Sequence, residues 1–232
     1  MDPSRSRDAI RTLLMNTRAY LLSLALLGGG VAVDTQAQEH AHAMPMTAAG
    51  TQVAAPKLQA AMRQLWQGHV THTREYAMAV HDGDQAKATA AADAVLANAK
   101  QLAGAVGGFY GKAAGDQMLT LLGGHWAGVK ALTDAVYAGD RAAQNKAMAD
   151  LTNNGHEIAK FLAGANPNLP ESTVFNLLAA HVGHHSSQIQ QIMAGDTRGE
   201  QATWTAMQKH MDVLADALAG GIAKQFPTRR AE

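Results

Sequence analysis

Eleven histidines in a chain without cysteine define the chemistry to look for. Three of them keep strict time: His69, His125 and His181 are spaced 56 and 56 residues apart. Each is followed 29 residues later by another polar residue, Asn98, Asn154 and His210. Imidazoles that converge on one point make a site for zinc, copper or iron. Asn98 and Asn154 could then accept the outer N–H of a ligating histidine and hold its tautomer. The competing reading is a buried polar layer that sets helix register, with histidine and asparagine satisfying each other.

A second group is concentrated on one stretch: His181, His184 and His185, with His72 and Met207 at a neighbouring level. Spacings of three and four place side chains on one helical face. His72 and His184 are themselves related by the 56-residue register, so they are expected to face each other near Gly128, where no side chain intrudes. With Met207 they would form a soft site for copper, or axial ligands for haem. His185 falls at the edge of the apolar stripe, and its plain reading is a solvent-facing residue. A third group is His40, His42, Met44 and Met46. Chain cleavage after Ala37 would leave Gln38-Glu39-His40, and a histidine third from a free amine binds Cu(II) or Ni(II) in a square plane. The plainer alternative is an arm of incidental composition.

Other chemistries are excluded or unsupported. Without cysteine there are no disulfides, thiolate metal sites or haem thioether links. There is no phosphate loop, Gly-x-Ser-x-Gly elbow or His-Glu-x-x-His. The paired Glu-x-x-His signature of di-iron bundles is also missing, which argues against a carboxylate-bridged oxidase and leans away from an enzyme. Residues 1–37 read as a secretory signal peptide: Arg5, Arg7, Arg11 and Arg18, an apolar stretch from Tyr20 to Val33, then Thr35-Gln36-Ala37. The remaining chain carries 15 Lys+Arg against 16 Asp+Glu, too balanced to attract nucleic acid. The expected location is periplasmic or secreted, with no membrane association after cleavage.

The elements that must position these histidines follow from the same register. Leu58, Met62, Leu65, His69, His72 and Tyr76 fall three or four apart, one stripe of a helix. Gly83 offers a left-handed helix stop and Asp84 an N-cap for the next helix. Gly139-Asp140 and Gly195-Asp196 stand at the matching places. Each 56-residue unit therefore reads as a helical hairpin, and the expected fold is all-α: a six-helix antiparallel bundle of three hairpin repeats, with pseudo-threefold closure permitted. The linkers between hairpins are expected at Gly107–Gly111 and Gly164–Pro170, which are rich in Gly and Pro. The expected organisation is a signal peptide at 1–37, a flexible arm at 38–56, the bundle at 57–227 and a tail at 228–232. His69 and Asn98 lie equally far from the first turn, so they should stand at one height, as should His125 with Asn154 and His181 with His210.

Four segments carry a family likeness. They are Leu65-Trp66-x-x-His69-Val70 with Thr73-Arg74; Phe109-Tyr110-Gly111 with Ala114-Gly115; Ile158-Ala159-x-Phe161-Leu162 with Asn166-Pro167; and Gly221-Ile222 with Gln225-Phe226-Pro227. Together they resemble the motifs of a widespread family of short, largely uncharacterised bacterial helical-bundle proteins, over roughly residues 60–227. The resemblance implies the bundle fold and no particular activity. This chain departs from the family pattern at His72, where the family has Trp, and at His184-His185, both changes toward metal ligands.

The sequence thus points to an exported bundle that binds or delivers a transition metal, copper before zinc or iron and haem behind them. The alternatives are a metal-free bundle that takes a small ligand or a partner protein, and a histidine-ligated metalloenzyme.

Overall fold

A computed structural model describes residues 55–228. The signal-peptide reading, the His40/His42/Met44/Met46 group and tail residues 229–232 lie outside the described residues. Those residues form six α-helices: α1 Pro56–His81, α2 Gln85–Tyr110, α3 Lys112–Tyr137, α4 Arg141–Ala165, α5 Glu171–Met193 and α6 Thr197–Gln225. Consecutive helices pack antiparallel, α6 returns against α1, and α1, α3 and α5 also touch one another in the centre. None of these helices is long and apolar enough to cross a membrane.

Three of the turns are built alike, by the residues expected to build them. Gly83, Gly139 and Gly195 take φ of 69°, 69° and 68°, the left-handed conformation a side chain would resist. The following aspartates close each turn from both sides. Their backbone N–H groups reach back to Ala79, Ala135 and Gln191 at 2.9 Å, satisfying carbonyls left over at the helix end. Their carboxylates accept from the backbone N–H of Lys87, Ala143 and Gly199 at 2.9–3.0 Å, capping α2, α4 and α6.

The linker from α2 to α3 differs from expectation. Gly107, Gly108, Phe109 and Tyr110 are helical, and Gly111 alone, with φ of 91°, breaks the chain. The glycines serve contact between helices instead. A Cβ on Gly115 would stand 3.0 Å from the Ala103 carbonyl and 3.0 Å from the Gly107 Cα, so small residues let the α2 and α3 backbones approach. The α4–α5 linker is the irregular one. Buried Asn166 gives its Nδ2 to the Tyr110 hydroxyl at 2.8 Å and accepts from the Asn168 N–H at 2.8 Å. Tyr110 in turn donates to Gln225 Oε1 at 3.0 Å and meets the Phe226 ring edge-on. Three of the four motif segments therefore meet in one clasp at this end of the bundle.

The core comes in two apolar clusters. Along α1, α3 and α5 the first holds Met62, Trp66, Met118, Leu121, Val174 and Leu178. The second holds Tyr76, Ala77, Trp126, Val129, Leu132, Val182 and Ile189. His69, His125 and His181 fall at the seam between them. Fully buried Leu and Ile side chains such as Leu132, Leu151 and Ile189 contribute about 1.5–3 kcal/mol each, so the seam is held shut by good packing on both sides.

Candidate metal centre

His69 on α1, His125 on α3 and His181 with His185 on α5 meet at the bundle axis. One ring nitrogen from each lies within 4.8 Å of the corresponding nitrogen of every other. All four are at most 4% exposed. Ring centroids are 5.5 Å apart for His69 and His181 and for His125 and His181, and 4.3 Å for His181 and His185. The Trp66 ring stands edge-on to His69 at 5.8 Å and closes that side.

The hydrogen bonding of these rings is sparse. Neither nitrogen of His69 or His125 has a protein partner, nor does Nδ1 of His181 or His185. The single bond in the cluster joins His185 Nε2 to His181 Nε2 at 3.1 Å. One ring must donate there and the other accept, so the two hold opposite tautomers. A buried polar atom without a partner costs about 1–3 kcal/mol. The cluster is therefore expensive as bare structure.

The His–Asn pairing that would have satisfied these rings does not form. Asn98 and Asn154 stand at the expected height, but their Nδ2 groups donate to the backbone carbonyls of Leu65 and Leu121 at 2.9 and 3.0 Å. Their Oδ1 atoms, also buried, make no hydrogen bond. They tie each outer helix to its inner one and leave two acceptors beside the rings. In the third hairpin His210 replaces asparagine and binds the Leu177 carbonyl through Nε2 at 2.8 Å.

Burial keeps the four imidazoles uncharged. His69 is pushed down to about 3, chiefly by loss of water and then by the neighbouring His125. His125 is lowered to about 4 by burial, with Asn154 pulling slightly the other way. His181 and His185 are held well below the usual histidine range by burial first and the surrounding rings second. At neutral pH each ring therefore offers a lone pair, and a metal would have no protonated imidazole to displace.

The other predicted residues are placed elsewhere. His72 is half-buried, 2.9 Å from Glu75, and lies outside the four although it helps lower His69. The space at Gly128, expected to be open between His72 and His184, is filled: a Cβ there would lie 2.8 Å from Leu151 Cδ2. Met207 is fully buried in the first apolar cluster. His184 and His210 are half-buried neighbours with ring centroids 5.3 Å apart. His185, read from sequence as an edge residue, is 1% exposed and completes the four. It lies four residues after His181, the spacing that puts two side chains on one helical face. That i,i+4 relation is the signal that marks it.

A polar network on α1, α5 and α6 carried no sequence signal. Arg74 binds the Glu200 carboxylate through Nε at 2.6 Å and a terminal nitrogen at 2.9 Å, and Gln188 adds a bond to the same carboxylate at 2.9 Å. The Arg74 guanidinium also lies 5.1 Å from the centre of the Trp204 ring. Arg74 and Glu200 are 126 residues apart, so only the fold joins them. The bidentate pair holds Glu200 below the usual carboxylate range and neutralises it internally. It clamps the three helices next to the histidines and contributes no ligand to them. Comparison with known proteins adds nothing to this geometry: no family model, no curated protein and no solved structure matches the chain.

Proposed function

We propose that this protein holds a transition metal ion, copper first, in the buried cage of His69, His125, His181 and His185. The observation that carries the reading is four neutral imidazoles, from three helices, with ligand atoms within 4.8 Å of each other. Imidazoles at about 2.0–2.1 Å from a tetrahedral ion stand roughly 3.3–3.4 Å apart. The His181–His185 pair is already at 3.1 Å, so the rest would draw in by rotation about their side-chain bonds. The ring that donates in that pair would shift its proton from Nε2 to its own Nδ1, and metal would take the place between the two Nε2 atoms and use lone pairs that otherwise have no partner.

The donor set narrows the choice of ion. Without a carboxylate or thiolate among the four, calcium and magnesium are disfavoured, and zinc, copper, nickel and iron remain. A monovalent copper ion brings half the charge of a divalent ion into a site with no anionic ligand, which is the smaller desolvation cost. Haem is disfavoured because the four rings already pack against one another. Four imidazoles fill a tetrahedral shell and no carboxylate joins them as a base, which favours holding and handing on metal over turnover.

The wider reading follows from the sequence. The leader makes this an exported, periplasmic or secreted protein, and His40, His42, Met44 and Met46 would capture copper outside the bundle. The 56-residue register makes the bundle three copies of one hairpin arranged about a pseudo-threefold axis, and the motif segments make it a specialised member of the bacterial helical-bundle family they resemble. His69, His125 and His181 are then one position used three times, with His185 the addition that makes a four-ligand cage.

The test is metal retention. Protein carrying His40→Ala and His42→Ala, loaded with copper and dialysed, should retain about one ion per chain, the capacity of a single four-ligand cage. The same protein with His181→Gln and His185→Gln should lose most of that copper on dialysis while keeping its helical circular dichroism. Equal retention in both would refute the cage.

A further inference from the structure

The buried cage raises the question of how an ion reaches it. The geometry points to a second, outer metal site formed by His184 on α5 and His210 on α6, through which metal passes to the four buried histidines. This rests on the cage reading above and adds a route to it.

The argument begins with the three outer anchors. Asn98, Asn154 and His210 do the same job, each donating to the carbonyl of a leucine 33 residues earlier. An asparagine that donates its Nδ2 has only an amide oxygen left. A histidine that donates Nε2–H to a carbonyl must carry its lone pair on Nδ1. The third anchor therefore keeps the structural bond and adds a basic nitrogen, which is a metal ligand.

The partner of that nitrogen also differs among the three hairpins. His72, Gly128 and His184 occupy matching positions in the 56-residue register. Near Asn98 the first hairpin has His72, which is turned to Glu75. The second has Gly128, covered by Leu151. Only in the third do two imidazoles meet, at 5.3 Å between ring centroids. His184 Nδ1 is buried and has no hydrogen-bond partner. Both residues are half-buried, between solvent and a cage whose members are at most 4% exposed. His184 is next to His185 in the chain and three residues from His181, so an ion at the outer pair is within one helical turn of two cage ligands.

Two imidazoles bind Cu(I) linearly and without a counter-ion. Such a site is suited to transient holding, because two further ligands in the cage offer a more complete shell. The transfer exchanges metal–nitrogen bonds, one cage histidine moves its proton from Nε2 to its own Nδ1, and the ion keeps its oxidation state.

The test uses the full chain carrying His40→Ala and His42→Ala, with Cu(I) supplied from a weak coloured chelate. Imidazole nitrogen resonances report each histidine, and loss of the chelate colour reports uptake. His184 and His210 should respond at the earliest additions, before the cage histidines reach saturation. The variant His184→Ala/His210→Asn keeps the anchoring bond, as Asn98 and Asn154 do. It should reach the same final copper content about tenfold or more slowly. A variant that loads its cage at the unchanged rate would overturn the route alone. Copper that stays at His184 and His210 while the cage never fills would overturn both the route and the cage, and the resonances tell these outcomes apart.

Discussion

At the residue scale, the telling feature is that four buried imidazoles are left mostly without hydrogen bonds. A layer evolved only to set register would be expected to satisfy its own rings, whereas Asn98 and Asn154 give their Nδ2 groups to Leu65 and Leu121 and leave the histidines unpaired. The cluster also makes the metal-free protein sensitive to acid. His69 titrates near 3 when folded and near the ordinary 6.5 when unfolded. Between those values the unfolded chain binds the extra proton, so stability is intact above pH 6.5 and falls as pH drops toward 3. Lowering the pH from 6.5 to 5 costs about 2 kcal/mol through His69 alone, and His125 acts in the same direction down to about 4. Urea titrations of metal-free protein should show the midpoint falling across this window. His69→Gln should flatten the dependence, and a midpoint independent of pH between 6.5 and 5 would contradict the assigned burial of charge-free rings. How much of the site could be read in advance follows from its parts. The 56-residue spacing located His69, His125 and His181. His185 was visible as an i,i+4 partner but obscured by its place at the stripe's edge, because which rim residue turns inward depends on how α5 is rotated against α1 and α3. The open space read at Gly128 between His72 and His184 was not legible as filled, since Leu151 reaches it from another helix.

At the element scale, the hairpin turns are the best-determined local feature. A left-handed glycine followed by a capping aspartate recurs at Gly83-Asp84, Gly139-Asp140 and Gly195-Asp196, and both halves of the signal act within a few residues. Replacing Asp84, Asp140 or Asp196 by Ala should cost about 1 kcal/mol each, typical of a lost N-cap. The first and third turns line one hollow, with Asp82 and Asp196 both on its wall, so chemical denaturation of the single and triple variants checks both the individual losses and their coupling. The Gly107-Gly108 pair was less legible. Glycine reads as punctuation in a sequence, but here α2 continues through it and the missing side chains admit α3. Gly115→Ala should therefore destabilise by about 1–3 kcal/mol, since its Cβ would meet backbone that cannot rotate away. A neutral outcome in the same denaturation assay would show that α2 and α3 can separate freely. The Arg74–Glu200–Gln188 clamp had no local signature at all, because ion pairs between distant segments obey no periodicity.

At the scale of the whole molecule, two apolar clusters enclose one polar seam, which we propose is there to bind an ion. Binding to the folded state alone raises stability by an amount set by concentration over affinity, about 4 kcal/mol at a thousandfold excess over the dissociation constant. Copper should accordingly raise the melting temperature of the protein with His40→Ala and His42→Ala, and a chelator should reverse the shift. The most direct measurement is X-ray absorption at the copper edge of that protein loaded with one equivalent. The four-histidine cage predicts a shell of imidazole nitrogens at about 2.0 Å with the outer-ring scattering of several histidines, lost in His181→Gln/His185→Gln. A shell of oxygen ligands, or a spectrum unchanged by those substitutions, would contradict it.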